Sequence, residues 1–298
     1  MEKPLSIVIF SKDRAAQLDL CLKSIHENLK GFSRSWDIYI IHTSESEDFE
    51  RGYSDLKKEW EKPFIHFFAE SEYGGFKETL QEVVQRSGEY ILFFTDDDIV
   101  YRNLEYDFDL VDDKFKTSGS LLTIGLRLGS NTFVQDQYQN TICFIPDGII
   151  LQDEPIKEWD WKFYCLQYGA TSFGYPFSVD GHIYRTKTVK WIIENTPGHY
   201  NPNSLEGAVH RLHIMETEYA ENLTHKMGCF KKSHVINTPL NRVQETFTNS
   251  AGKFFGNTAK ELNDRFLEGY RLSLEGMDFS TIIGVHQELK LCWGEKCS

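Results

Sequence analysis

No stretch of this sequence approaches the ~18 consecutive apolar residues that a membrane-spanning helix requires. The apolar runs are strand-sized, as in IVIF at 7–10 and ILFF at 91–94. The six cysteines, Cys21, Cys143, Cys165, Cys229, Cys292 and Cys297, form no CxxC, and no Cys/His group has zinc spacing. That excludes the common zinc modules and favours buried free thiols in a reducing compartment over a disulfide, the other reading open to these cysteines. Positive charge is in deficit: 32 Lys and Arg stand against 45 Asp and Glu, a net charge of −13. A nucleic-acid binder would show a basic footprint, so no nucleic-acid partner is expected. There are no internal repeats and no Pro-, Gly- or Ser-rich linker that would force a domain break. The opening MEKPLSIVIF has neither a long apolar h-region nor a small-residue cleavage site. The expectation is a cytoplasmic protein without a transmembrane segment, peripheral contact with a membrane surface being left open.

What the sequence does have is a regular alternation over its first hundred residues. LSIVIF, WDIYIIHTS, FIHFFAE and EYILFFT are strand-like runs. Between them lie segments of helical spacing: 15–29 with Leu18, Leu22, Ile25 and Leu29, 47–60 with Phe49, Leu56 and Trp60, and 76–86 with Phe76, Leu80 and Val83. Strand and helix alternating at this pitch predict βαβ units and a mostly parallel sheet in an α/β fold. Beyond residue 100 the pattern loosens. Helices are expected at 104–117, 187–194, 204–222 and 259–274, strands at SLLTIGLRLG, SVDGHIYRT and GCFKKSHVIN, and strand and loop across 131–165.

Ligands of such sheets sit beyond the carboxyl ends of the strands. Four polar segments follow the first four strands: SKDR, TSESE, ESEYGG and TDDD. The last is the most unusual, because three adjacent carboxylates repel one another and add nothing to folding. A solvated acidic turn is one explanation. The other is a cation: at strand period Asp96 and Asp98 share one side and Asp97 takes the other, and paired carboxylates at a ligand edge suit Mn2+ or Mg2+.

A strand followed by SKDR and an amphipathic helix, two further βα units, and a strand ending in DxD resembles the nucleotide-sugar-binding half of GT-A glycosyltransferases, most closely the family 2 type. The resemblance covers residues 5–100 well and continues less specifically to about 245. It implies a Rossmann-like GT-A domain with 1–100 as the nucleotide-sugar-binding half and 101–245 as a mixed acceptor-binding half, leaving 246–298 as a helical C-terminal extension. It also implies a metal-dependent transfer of a sugar from a nucleoside diphosphate, UDP by preference, to an acceptor hydroxyl on a glycan or glycolipid, with inversion. A role in bacterial surface polysaccharide synthesis goes with it.

Carried over by position, Asp96 and Asp98 would hold the metal, and Asp96 and Asp97 would face the ribose and diphosphate. Ser11 and Asp13 lie where relatives hold nucleobase and ribose. Arg14 could pair with phosphate, or with Asp13 or Asp19 at the surface. HTSESE replaces the family's acidic DDGS-like turn and offers Ser44 or Glu45 as base contacts. Gly74, Gly75, Phe76 and Lys77 match a segment that passes near the phosphates. Glu206, in NPNSLEGAV, occupies the place of the catalytic base, with Ser204 capping its helix and Asp180 as the alternative; a dipole-complementing Glu is the plainer role for that position. His234 and His286 are candidates for a third metal ligand, and Arg242 for a contact to the diphosphate. Trp159, Trp161, Phe163 and Tyr164 could stack on a sugar or pack a core. Two other readings stand beside this one. A nucleotidyltransferase of related fold would normally show a GxGxR-type loop where SKDR stands, and a nucleotide-sugar-binding protein without turnover would bind but not react.

Overall fold

The structure is a computed structural model that describes residues 3–33, 36–136, 141–169, 171–196, 198, 200–215, 224–241 and 251–296. Its centre is an eight-stranded sheet. The strands are β1 (Leu5–Lys12), β2 (Trp36–Thr43), β3 (Ile65–Ala69), β4 (Tyr90–Thr95), β6 (Leu121–Gly125), β9 (Ile156–Asp160), β10 (His182–Arg185) and β11 (Lys226–Phe230), in the spatial order β3-β2-β1-β4-β10-β6-β11-β9. β1 to β4 are parallel, β10 runs antiparallel to both β4 and β6, and β9 closes the far edge antiparallel to β11. Six of the eight strands therefore share one direction, because β6 and β11 are parallel to each other.

Both faces of this sheet are covered, which is why its strands read as near-continuous apolar runs. Leu5, Ile7 and Ile9 of β1 belong to one core, together with Leu18, Leu22 and Ile25 of α1 (Ala15–Asn28) and Tyr53 and Leu56 of α2 (Glu47–Glu59). Val8 and Phe10 belong to the other. There they meet Leu80, Val83 and Val84 of the helix Phe76–Arg86, and Val189, Ile192 and Ile193 of Thr186–Asn195. Burying one such side chain stabilises the fold by roughly 1.5–3 kcal/mol. The parallel registry aligns the strand ends: Ser11 lies opposite His42, and Phe10 opposite Thr95.

A small second sheet sits at that edge. β5 (Asp98–Val100) pairs antiparallel with β12 (Val235–Asn237), Asn237 opposite Asp98. The segment 228–237, expected as one strand, is therefore two strands in two sheets. The break falls at Lys231–Ser233, whose backbone bonds to Ser130 and to the side chain of Asn131 instead. Residues Trp161–Tyr168 form a helix, started by Asp160, whose carboxylate accepts from Phe163 N at 2.8 Å, where strand and loop were expected. The C-terminal helix Ala259–Leu267 is shorter than expected, ending at a turn closed by Gly269 at φ 93°. It packs on α1 and α2, while 285–287 return to β12 and to the site. The helix over 204–222 is seen at Pro202–Met215, and 216–222 lies outside the described residues. Among the described residues no helix is long and apolar enough to cross a membrane, and Cys21, Cys143, Cys165, Cys229 and Cys292 are free thiols, three of them buried.

Candidate active site

The three aspartates do not alternate across a strand. β4 stops at Thr95, Asp96 and Asp97 make a turn, and Asp98 begins β5. All three are buried, and the positive group beside them is Arg14. Its NH1 donates to Asp96 Oδ1 at 2.9 Å and to Asp97 Oδ2 at 3.0 Å. Its Nε donates to Asn241 Oδ1 at 2.7 Å. Asp96 also accepts from Ser11 Oγ at 2.8 Å and Lys12 N at 3.1 Å. Asp98 accepts from Thr95 N at 2.9 Å. Asn237 Nδ2 then bridges the other two carboxylates, at 2.8 Å to Asp97 Oδ1 and 3.1 Å to Asp98 Oδ1. Burial pushes Asp96 up to about 6, with Arg14 pulling against it. Burial, then the charges of Asp180 and Asp97, hold Asp98 well above the ordinary carboxylate range.

These contacts relocate several expected roles. Ser11 shares a 2.6 Å hydrogen bond with the Tyr53 hydroxyl as well as bonding Asp96, so it organises the acidic turn. Arg14 is paired with Asp96 and Asp97, not with Asp13 or Asp19. Asp13 holds the loop after β2, accepting from Glu45 N at 2.8 Å. At φ 57° it is the one non-glycine with positive φ among the described residues, in a region that Asp tolerates better than most. Ser44 donates to Glu50, and the Glu45 carboxylate pairs with Lys12. Gly74 and Gly75, at φ 94° and 121°, turn the chain into the helix that carries Lys77, which does not line the cleft described below. His234 is buried against Phe230 with Nδ1 3.2 Å from the Arg102 carbonyl, away from the aspartates, and burial pushes it down to about 4. Trp159, Trp161 and Tyr164 pack a third core while Phe163 is exposed. Arg242 lies outside the described residues.

Next to the acidic turn opens a cleft of about 320 Å³, lined by Thr95, Arg127, Asp180, Glu206 and His286, with Gln135, Thr171, Ser172, Tyr175, Val179 and Asn203 completing its wall. Thr95 joins the two parts: its hydroxyl lies 2.9 Å from Asp97 Oδ1 and 3.1 Å from Asp180 Oδ1. Asp180 Oδ2 accepts from Arg127 NH1 at 2.7 Å. Asn201 rather than Ser204 precedes the helix Pro202–Met215 as its cap, its Oδ1 accepting from Ser204 N at 2.8 Å, and Glu206 lies past the first turn, with Oε1 accepting from Val179 N at 2.7 Å. Burial and the neighbouring Asp180 charge push Glu206 up to about 7, although Arg127 opposes them. A carboxylate with that value is half ionised near neutral pH, as a general base should be.

The structure thus brings Glu206, Asp180 and His286 to one cleft and Asp96, Asp97 and Asp98 to its border. Sequence reasoning missed Arg127, Asn237, Tyr53 and Asn241. Arg127 stands at the carboxyl end of β6 and position alone could have flagged it. Asn237 and Tyr53 carry no local signal. Among the described residues no ready-made cluster of three His, Cys, Asp or Glu side chains closes on a metal position. The donor set is nevertheless one that hard cations use, since each carboxylate keeps unused acceptor sites.

No protein-family model matches the chain. In sequence it is 25% identical over 270 residues to the bifunctional glycosyltransferase pgtA of Dictyostelium discoideum, a match that takes in 83% of this chain and 33% of that one. The chain therefore spans about a third of the length of that curated relative. Similar solved structures include residues 1–349 of S. aureus TarS, at 15% identity, 78% of this chain and 59% of that one, TM-score 0.46. Another is GalNAc-T7 with UDP, GalNAc and Mn2+, at 9% identity, 78% and 43%, TM-score 0.47. A third is the mannosyltransferase PcManGT of Pyrobaculum calidifontis with GDP-Man and Mn2+, at 8% identity, 75% and 53%, TM-score 0.41. That relative is a curated glycosyltransferase, and the match runs along most of this chain.

Proposed function

We propose that this chain is a GT-A type glycosyltransferase that moves a sugar from a nucleoside diphosphate sugar to an acceptor hydroxyl with inversion. The observation that carries the proposal is Glu206: a carboxylate poised at about 7 in a polar cleft that adjoins the acidic turn. Its carboxylate would take the acceptor proton as the hydroxyl attacks the anomeric carbon. Asp180 is already engaged by Arg127, so we assign it to setting the charge of Glu206. The alignment to a curated glycosyltransferase supports the reaction class. Uridine as the nucleoside, and an acceptor within a surface polysaccharide, rest on the family resemblance alone.

The residues suited to a divalent cation are Asp97 and Asp98, which Asn237 joins; His286 turns its Nε2 to Arg127 NH1 at 3.4 Å instead. Asp96 is enclosed by Ser11, Lys12 and Arg14, and we give it the task of holding Arg14 in place. When bound, Mn2+ or Mg2+ would neutralise charge on the leaving diphosphate. Arg127 would add positive charge at the same border.

Two measurements test the proposal. Calorimetry with UDP and GDP, each with Mn2+ and with chelator, should show metal-dependent binding of one nucleotide. Glu206→Gln should keep that binding and lose ~10²–10⁴-fold in kcat. Full turnover by the variant would remove Glu206 as the base, and absence of nucleotide binding in the presence of metal would remove the reaction class.

A further inference from the structure

Three short segments cover the third core: the strand Thr141–Ile142 with the two residues after it, the helix Asp147–Leu151 and the helix Trp161–Tyr168. Their inward side chains are Cys143, Ile149, Trp161 and Tyr164. Their outward ones are apolar as well. Ile142, Phe144, Ile150, Leu151, Phe163 and Leu166 are between 59% and 89% exposed. The Phe144 ring stands 4.9 Å from that of Tyr168, and the Tyr164 hydroxyl donates to the Phe144 carbonyl at 2.7 Å, so the strand segment and the second helix form one surface. Asp147–Leu151 packs along β9, the strand that leads into that helix. Six large side chains, each more than half exposed, present on the order of 600 Å² of apolar surface, the upper end for the largest patch of an ordinary monomer.

Area, charge and position decide what covers this patch. A specific protein interface buries roughly 800 Å² on each partner and carries hydrogen-bonding groups through its rim. This patch is smaller, and its exposed tips are hydrocarbon. A lipid surface demands neither matched shape nor matched hydrogen bonds. The chain as a whole carries −13, yet the carboxylates of β9 are matched locally. Glu158 pairs with Lys114 at 2.7 Å and with Lys226 at 3.0 Å, and Asp160 caps the helix that follows it. Asp147 lies at the start of its helix, whereas Ile150 and Leu151 lie at its end. The one charged residue of Trp161–Tyr168 is Lys162, whose Nζ lies 5.8 Å from the Trp161 ring centre. A nearly uncharged apolar face on an acidic protein suits a neutral lipid surface better than an anionic one. The position adds a link to the cleft. The Tyr164 hydroxyl lies 3.0 Å from Thr171 Oγ1, and Thr171 is part of the cleft wall. The patch thus begins one residue from the cleft.

We infer that this patch docks the chain on a neutral lipid surface, with Phe163 and Leu166 entering the boundary between headgroups and acyl chains. A short helix with an apolar face lies in that boundary, and without a lipid anchor or a basic patch its binding is weak and reversible. Docked this way, the cleft would stand at the level of the headgroups, where hydroxyls are presented. Docking does not require the transfer reaction, so either can fail without the other.

The test is flotation of the full chain with phosphatidylcholine vesicles. Wild type should float with them, and Phe163→Gln/Leu166→Gln should partition at least ~10-fold less. Both side chains are exposed, and a circular-dichroism melt matching wild type confirms that the variant is folded. Vesicles that also contain phosphatidylglycerol should bind wild type no better, because the chain is acidic. Wild type that fails to float with phosphatidylcholine overturns the inference, and that arm needs no variant. Binding to the anionic vesicles alone overturns it as well. Equal partitioning of the two proteins would place the contact elsewhere and overturn it. A lipid-free wild-type dimer, seen by light scattering and lost in the variant, would assign the patch to a second copy of the chain, with the same result.

Discussion

Asp180 and Glu206 are a pair of carboxyls in one cleft whose neighbours differ. Asp180 is tied to a guanidinium and a hydroxyl, whereas Glu206 has a backbone N–H and the Ser178 hydroxyl. The Asp180 charge raises Glu206, and Arg127 lowers it. Asp180→Asn removes the first influence and leaves the second. The acid limb of kcat/KM in wild type should fall near pH 7, where Glu206 loses its proton, and in Asp180→Asn it should move down by about one unit. A pH–rate profile of the two proteins checks this, with a thermal melt at each pH to confirm that both are folded. A limb that stays in place would mean that it reports some other group. A helix near Glu206 was legible, because a turn-rich segment precedes SLEGAV, although the helix begins two residues earlier, at Pro202. Asn237 was not, since VIN reads as an ordinary strand. Its meaning arises only when β12 lies between 98–100 and 285–287, contacts separated by more than a hundred residues on one side.

Elements of the first half were legible almost to their ends, since each βα unit is specified by local periodicity, and α2 also by a cap close in sequence, Ser46 Oγ accepting from Phe49 N. The helix predicted over 76–86 is observed at Phe76–Arg86. The second half was harder because its elements are defined by distant partners: the turn at Lys231–Ser233 exists because Asn131 and Ser130 receive its backbone. The C-terminal helix combines both kinds of information. Its start is local, a capping box in which Thr258 Oγ1 accepts from Glu261 N at 3.1 Å and Glu261 Oε2 accepts from Thr258 N at 2.9 Å. Its place is not local, for Leu262 and Phe266 enter the core shared with α1 and α2. Thr258→Ala should therefore lower global stability by about 1 kcal/mol while leaving turnover unchanged. Urea unfolding followed by circular dichroism measures this. A midpoint equal to wild type, with early loss of helix signal, would show that this helix melts separately and does not belong to the cooperative unit.

At the scale of the whole molecule, the sheet unites a half that sequence reading could lay out and a half that it could only sketch, because β10 enters antiparallel between β4 and β6 after a long excursion. The site built on that seam should make stability depend on pH in a particular direction. Glu206 rises from 4.5 to about 7 and Asp96 from 3.8 to about 6 on folding, so between those limits the folded state binds more protons than the unfolded one. Stability then falls as pH rises through that range. His234 acts oppositely: burial lowers it from 6.5 to about 4, so its contribution grows with pH through that range and levels off about one unit above 6.5. His182 and His42, also lowered by burial, share that sign and that upper limit. The two trends oppose each other around pH 6.5 and partly cancel. The histidines are common to wild type and Glu206→Gln, so a comparison of the two proteins isolates the carboxylate. Metal-free and held in chelator, wild type should lose melting temperature relative to Glu206→Gln, the same size and uncharged throughout, between pH 6.5 and pH 8. Calorimetric melts of both proteins across this interval give the answer. Equal slopes would mean that Glu206 is already ionised at pH 6.5, which would remove the physical basis for its choice as the base.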